Sequence, residues 1–114
     1  MPVLRYKMPR PRRCRRVLGH PDATYFKPAG IRMRELEESI LSVDEFEAVR
    51  LKDLESLEQE KAAEKMNISQ PTFHRLILAA RKKVADAIVN GKAIRIQGGD
   101  FEIVGRRRKK RGNF

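Results

Sequence analysis

Apolar residues recur at three- and four-residue intervals through the second half of the chain. Phe73, Leu76, Ile77, Ala80, Val84, Ala87 and Ile88 fall in one sector of a helix at ~100° per residue. Ser69 stands where that helix needs a cap. Pro71 falls in its first turn, whose amides have no intrahelical partner, and Gly91 ends it beside Lys92. Ahead of it lies a shorter helical stretch with Ala62, Ala63 and Met66 on the buried side. The small Ala63 suits a close crossing of the two helices. Asn67 sits at the break, where Asn tolerates left-handed backbone, and Ile68 is placed to plug the core from the turn. The start of the shorter helix has two readings. Ser56 with Gln59 has capping-box spacing, whereas Glu58 fits the first-turn acid of a helix that begins later. Residues 56–91 thus carry the pattern of a helix-turn-helix, whose second helix would enter a DNA groove.

Upstream, Ser42 and Glu45 have capping-box spacing, with Asp44 in the same first turn. Val43, Phe46, Val49 and Leu54 give the helix that follows an apolar side. Glu45, Glu47 and Asp53 would be repelled by phosphate, so this helix should face away from DNA, and the acids of residues 35–66 read as solvated helix faces. Residues 31–41 fit either a short helix, with Leu36, Ile40 and Leu41 as its stripe, or a strand over 38–41; the helix is favoured. Downstream, a two-residue turn at Gly98-Gly99 would pair Ile96 with Phe101, Ile94 with Ile103 and Arg95 with Glu102. That register predicts a C-terminal β-hairpin with a structural role rather than a DNA-contacting wing. Residues 1–30 hold five prolines and no period, and read as an extended arm that docks through Tyr25 and Phe26.

Charge changes this picture from a bundle to a binding protein. The formal net charge is +11 over 114 residues, distributed as +9 over residues 1–34, −7 over 35–66, +3 over 67–104 and +6 over 105–114. Basic ends around an acidic middle point to a polyanionic partner. No apolar run is long enough to cross a bilayer, and the basic N-terminus has no apolar segment behind it to make a secretory signal. One cysteine, Cys14, forms no internal disulfide and is compatible with a reducing cytoplasm. Cys14, His20 and Asp22 lack the paired spacing of a zinc site, so no metal or other cofactor is expected. His74 has no nucleophile or acid partner in the pattern, which argues against an enzyme.

The expected partner is double-stranded DNA, which places the protein in the cytoplasm on the nucleoid. Gln70, Thr72, His74 and Arg75, at the start of the second helix, are the base-edge candidates; Arg75 suits guanine and Gln70 adenine. Phosphate candidates are Ser69, Arg81, Lys82 and Lys83, with Arg10, Arg12, Arg13, Arg15 and Arg16 on the arm and Arg106, Arg107 and Arg108 on the tail. Leu78 and Val89 leave apolar surface on the same helix, which suits a homodimer. The alternatives are an RNA- or ribosome-associated basic protein, or a module whose acidic middle docks on RNA polymerase.

Several blocks together resemble uncharacterised protein family 0251, a prokaryotic family of small predicted DNA-binding proteins. They are MPRPRRCRRV, YFKPAGI, LEESILSVDEFEAVRLKDLESL and AAEKMNISQPTFHRLILAARKKVADAIVNGKAIRIQGG. The stretch VRLKDLESLEQEKAAEKMNIS is also similar to the promoter-reading C-terminal region of sigma-70-type factors. The family pattern tends to place Ser where Glu58 stands and Gly where Asn67 stands. The resemblance implies DNA binding and a role in transcription. The expected architecture is therefore mainly α: a sigma-70 region 4-like helix-turn-helix domain over residues 31–104 with a small C-terminal β-hairpin, between a basic extended arm (1–30) and a basic tail (105–114).

Overall fold

The computed structural model describes residues 14–104. These run through β1 (Arg15–Val17), β2 (Tyr25–Phe26), β3 (Glu38–Leu41), α1 (Val43–Val49), α2 (Gln59–Met66), α3 (Gln70–Asn90), β4 (Ala93–Ile96) and β5 (Phe101–Ile103). A 3-10 turn at Met33–Glu35 precedes β3, and a π-helical turn at Arg50–Leu54 continues α1. Among the described residues helix accounts for 48% and strand for 18%, with the strands in two small sheets. The protein is an α/β fold, and the expected mainly α class is wrong.

The error lies at both ends of the helical segment. Along residues 38–41, Ser39 and Leu41 are buried while Glu38 and Ile40 are exposed, a period of two that makes a strand and not the favoured short helix. β4 then lies between two partners, parallel to β3 and antiparallel to β2, in the order β2-β4-β3. Ile94 sits opposite Ser39 and Phe26, and Arg95 opposite Ile40 and Tyr25. With both edges of β4 occupied, no edge remains for β5, and the expected hairpin does not form. β5 instead runs parallel to β1, and Arg95 pairs with Glu38 while Glu102 reaches Arg16. The alternation of apolar residues was real, but it suits any strand with a buried face and does not name a partner.

Gly98 and Gly99 make the sharp departure from the sheet. Both have positive φ, and Gly98 accepts a hydrogen bond from the Val43 amide at the start of α1. A Cβ at Gly99 would press on Asp44 and Ser42, so that position also needs glycine for space.

Two apolar clusters share α1 and α3. One lies among the helices: Ala48, Leu51, Ala62, Ala63, Met66, Phe73 and Ile77. The other joins helix to sheet through Val17, Leu41, Val43, Ala80 and Ile96. Leu54, expected on the apolar side of the first helix, is 76% exposed, and Leu51 takes that place. The wider π turn, closed by the Glu55 amide on the Arg50 carbonyl, rotates the side chains out of the α-helical register. Ile88, expected in the α3 stripe, is 74% exposed. Only Ala87 of the last turn is buried.

On the outer face of the sheet, Arg95 forms two hydrogen bonds to Glu38, at 2.9 and 2.7 Å, while its guanidinium lies 4.6 Å from the centre of the Tyr25 ring. Arg95's hydrogen bonds hold the Glu38 carboxyl below its ordinary value, against the opposing effect of desolvation. A group whose folded-state pKa is lowered stabilises fully above its unfolded value and stops doing so as pH falls through the lowered one. The stability difference between wild type and Glu38→Gln should therefore be present at neutral pH and shrink on acidification, as followed by thermal unfolding. A difference that does not vary with pH would assign the effect to shape and not to charge.

Candidate nucleic-acid interface

The start of α3 is built as its sequence suggests. The Ser69 hydroxyl accepts the Thr72 amide at 3.2 Å and donates to Thr72 Oγ1 at 2.8 Å, and Pro71 lies within the first turn. Asn67 ends α2 in the left-handed conformation (φ 60°, ψ 45°), which Asn tolerates better than most other residues with a side chain. Ile68 is partly buried against the helical core, so the turn is pinned from inside. The competing starts of α2 resolve in favour of the later one. Glu58 is the N-cap residue, without a side-chain cap bond, and Ser56 has φ 62°. Capping at Ser42 is reciprocal, with the Glu45 amide donating to Ser42 Oγ and the Ser42 amide to Glu45 Oε1.

The base-edge candidates come together at this end. Gln70, His74 and Arg75 are exposed and Thr72 is half-buried beneath its cap bond. Gln59 Nε2 lies 3.3 Å from His74 Nδ1, a hydrogen bond when the ring carries its proton on Nε2, and it ties the start of α2 to the start of α3. Among the described residues Arg75 has no carboxylate partner.

The phosphate candidates divide. Lys82 is exposed on the same side as Arg75. Arg81 forms two hydrogen bonds to Asp53, at 3.2 and 2.6 Å, which hold that carboxyl below its ordinary value. Lys83 reaches both oxygens of Glu45, at 2.8 and 3.0 Å, and Glu45 is only 7% exposed. Arg15 contacts Asp44 at 3.3 Å and Asp100 at 3.8 Å, while Arg16 is more open, 3.9 Å from Glu102. Arg10, Arg12, Arg13, Arg106, Arg107 and Arg108 lie outside the described residues.

The acids of α1 are not the solvated face that the sequence suggested, whereas Glu58 at the cap of α2 and Glu60 and Glu64 on it are exposed as expected. Asp44, Glu45 and Glu47 are buried, and Glu47 accepts two hydrogen bonds from Arg50 and one from the Leu18 amide. Long basic side chains folding back onto α1 carry no local periodic signal, so nothing in the pattern could have found them. The resulting electrostatics are simple. The described residues hold equal numbers of Lys/Arg and Asp/Glu, so the whole formal charge of +11 resides on residues 1–13 and 105–114.

A cleft of about 360 Å³ opens between the end of β1 and the α1–α2 connection, with Val17, Leu18, Leu51, Leu57 and Val104 on its walls and Arg16, Arg50 and Lys65 among its charged groups. Among the described residues no three His, Cys, Asp or Glu are placed to hold a metal ion, and no helix is long and apolar enough to cross a membrane.

The site is thus a capped helix end projecting from a small α/β body whose own charges cancel. The family model described as "Protein of unknown function DUF134" matches residues 4–104. A UPF0251 protein of Thermoanaerobacter pseudethanolicus is 59% identical over 96 residues, covering 84% of this chain and 81% of the relative. Another, from Caldanaerobacter subterraneus, is 58% identical over 98 residues, covering 86% and 83%. The chain belongs to this family. No solved structure matches it.

Proposed function

We propose that this protein binds double-stranded DNA in a sequence-dependent manner through a helix-turn-helix formed by α2 and α3, and acts as a transcriptional regulator on the nucleoid. The observation that carries this reading is the start of α3. Gln70, Thr72, His74 and Arg75 stand at one capped helix end, and α3 carries no acid before Asp86. A protein that reads base edges needs such an end free of carboxylates. The basic residues outside 14–104 supply phosphate affinity without sequence preference. Burial of Asp44, Glu45 and Glu47 removes those three acids from any docking surface in the acidic middle, and no catalytic role is assigned.

The test is selection of bound sequences from a random duplex pool, followed by titration of Arg75→Ala. The variant should lose about 1–3 kcal/mol, roughly 5–150-fold, on the selected site and far less on random duplex. Equal losses on both would remove Arg75 from base reading. Tighter binding to structured RNA at matched salt, unaffected by Arg75→Ala, would replace duplex DNA as the ligand.

A further inference from the structure

The side chains of α3 divide into three sectors. Phe73, Ile77, Ala80 and Ala87 face the core. Thr72, Arg75 and Lys82 lie on a second side. Between these two sectors run Leu78, Ala85 and Val89, within about 40° of one another at ~100° per residue, with Ile88 at their edge. Leu78, Ile88 and Val89 are 50%, 74% and 78% exposed. Aliphatic side chains this open, aligned over three turns around a small Ala85, form a helix-packing stripe with none of the described residues covering it. Of the cations at its two edges, Arg81 is already neutralised by Asp53 and Lys82 is exposed.

We infer that this stripe binds a second copy of the same chain, α3 against α3 in antiparallel orientation, and that the pair assembles on DNA. This inference rests on the duplex-binding reading above. Two features select a second copy over another partner. First, a two-fold axis perpendicular to an antiparallel helix pair turns the sector a quarter-turn from the contact to the same side in both copies. That sector holds Thr72, Arg75 and Asp86, the last paired with Lys92, and Lys82 lies between it and the stripe. Second, at ~1.5 Å per residue, the Thr72–Arg75 turn stands about 17 Å along the axis from Ala85, so two such turns stand roughly 34 Å apart. That distance is about one turn of B-DNA, the spacing of half-sites read by paired recognition helices.

The stripe is also small. Stable dimers engage about 20–30 residues on each side, far more than one helix face offers here. The contact is therefore weak in free solution and is completed when both copies sit on one duplex.

The experiment uses the full chain and duplexes carrying two copies of the selected half-site in inverted orientation. With centres about 10–11 base pairs apart, wild type should bind the second site at least tenfold more tightly than the first, and at about 15–16 base pairs this gain should vanish. Val89→Glu and Ile88→Glu, both at exposed positions, should abolish the gain while keeping single-site affinity within about twofold. Cooperativity that ignores spacing, or that survives in both variants, overturns the inference while leaving duplex binding intact. A DNA-free arm separates the two readings. Ala85→Cys in a Cys14→Ser background, treated with a short bismaleimide at high protein concentration, should form cross-linked dimers, and Arg34→Cys should not. Cross-linking at Ala85→Cys without any duplex binding would defeat the DNA reading alone. Absence of a specific Ala85→Cys cross-link both without DNA and on the paired-site duplex would defeat the self-association.

Discussion

Phe73→Ala should destabilise the protein by about 3–5 kcal/mol, the range for removing a fully buried aromatic ring. Phe73 is 0% exposed and packs with Ala48, Leu51, Ala62, Ala63, Met66 and Ile77, so its ring fills the junction of α1, α2 and α3. Three of those neighbours are alanines, which have no rotamer with which to enter a void. The cavity should therefore persist instead of collapsing. Small domains have about 5–15 kcal/mol in all, so the variant should retain only a marginal native population. Urea unfolding monitored by circular dichroism should show a much lower midpoint with an unchanged slope, and Phe73→Leu should fall between the two. A loss below about 1 kcal/mol would mean that the three helices do not depend on this junction.

Glu47→Ala is the second large effect, expected at about 3 kcal/mol, the lower end for breaking a buried ion pair, because Arg50 retains access to water. Glu47 is 3% exposed; it accepts Arg50 Nε at 2.9 Å, Arg50 Nη2 at 2.8 Å and the Leu18 amide at 3.2 Å. Truncation leaves the guanidinium with only the exposed Glu55 and leaves the Leu18 amide without its acceptor. Glu47→Gln keeps an acceptor oxygen and should cost less. Glu55→Ala removes only a surface pair and should cost under about 1 kcal/mol. Hydrogen exchange at Leu18 gives a local readout, since its protection should fall in Glu47→Ala and stay in Glu55→Ala. Equal stability losses at positions 47 and 55 would contradict this assignment.

What could be read from the chain was what lies inside one element. The caps at Ser42 and Ser69, the left-handed Asn67, the end at Gly91 and most of the α3 stripe depend on neighbours three or four residues away. Those relations are visible in sequence. Strand partners are not local: β4 carries one apolar alternation, and nothing in it distinguishes β5 from β2 and β3 as its neighbours. The burial of Glu45 and Asp44 was hidden for the same reason, since Lys83 and Arg15 reach them from distant parts of the chain. At the candidate site, the grouping of Gln70, Thr72, His74 and Arg75 followed from helix position alone. The withdrawal of Arg81 and Lys83 into ion pairs required the fold.

The parallel pairing of β3 with β4 has a kinetic consequence. Every element between these neighbouring strands is helical, so joining them closes a loop of about fifty residues, whereas each turn of helix forms through local contacts. The helices should therefore gain structure early and the sheet late. Substitutions such as Phe73→Ala would then slow folding, while Glu38→Gln would mainly speed unfolding. A chain cut after Gly91 keeps all three helices but leaves β3 without the strand that closes the fold. It should persist as a collapsed, helical species whose packing does not become unique.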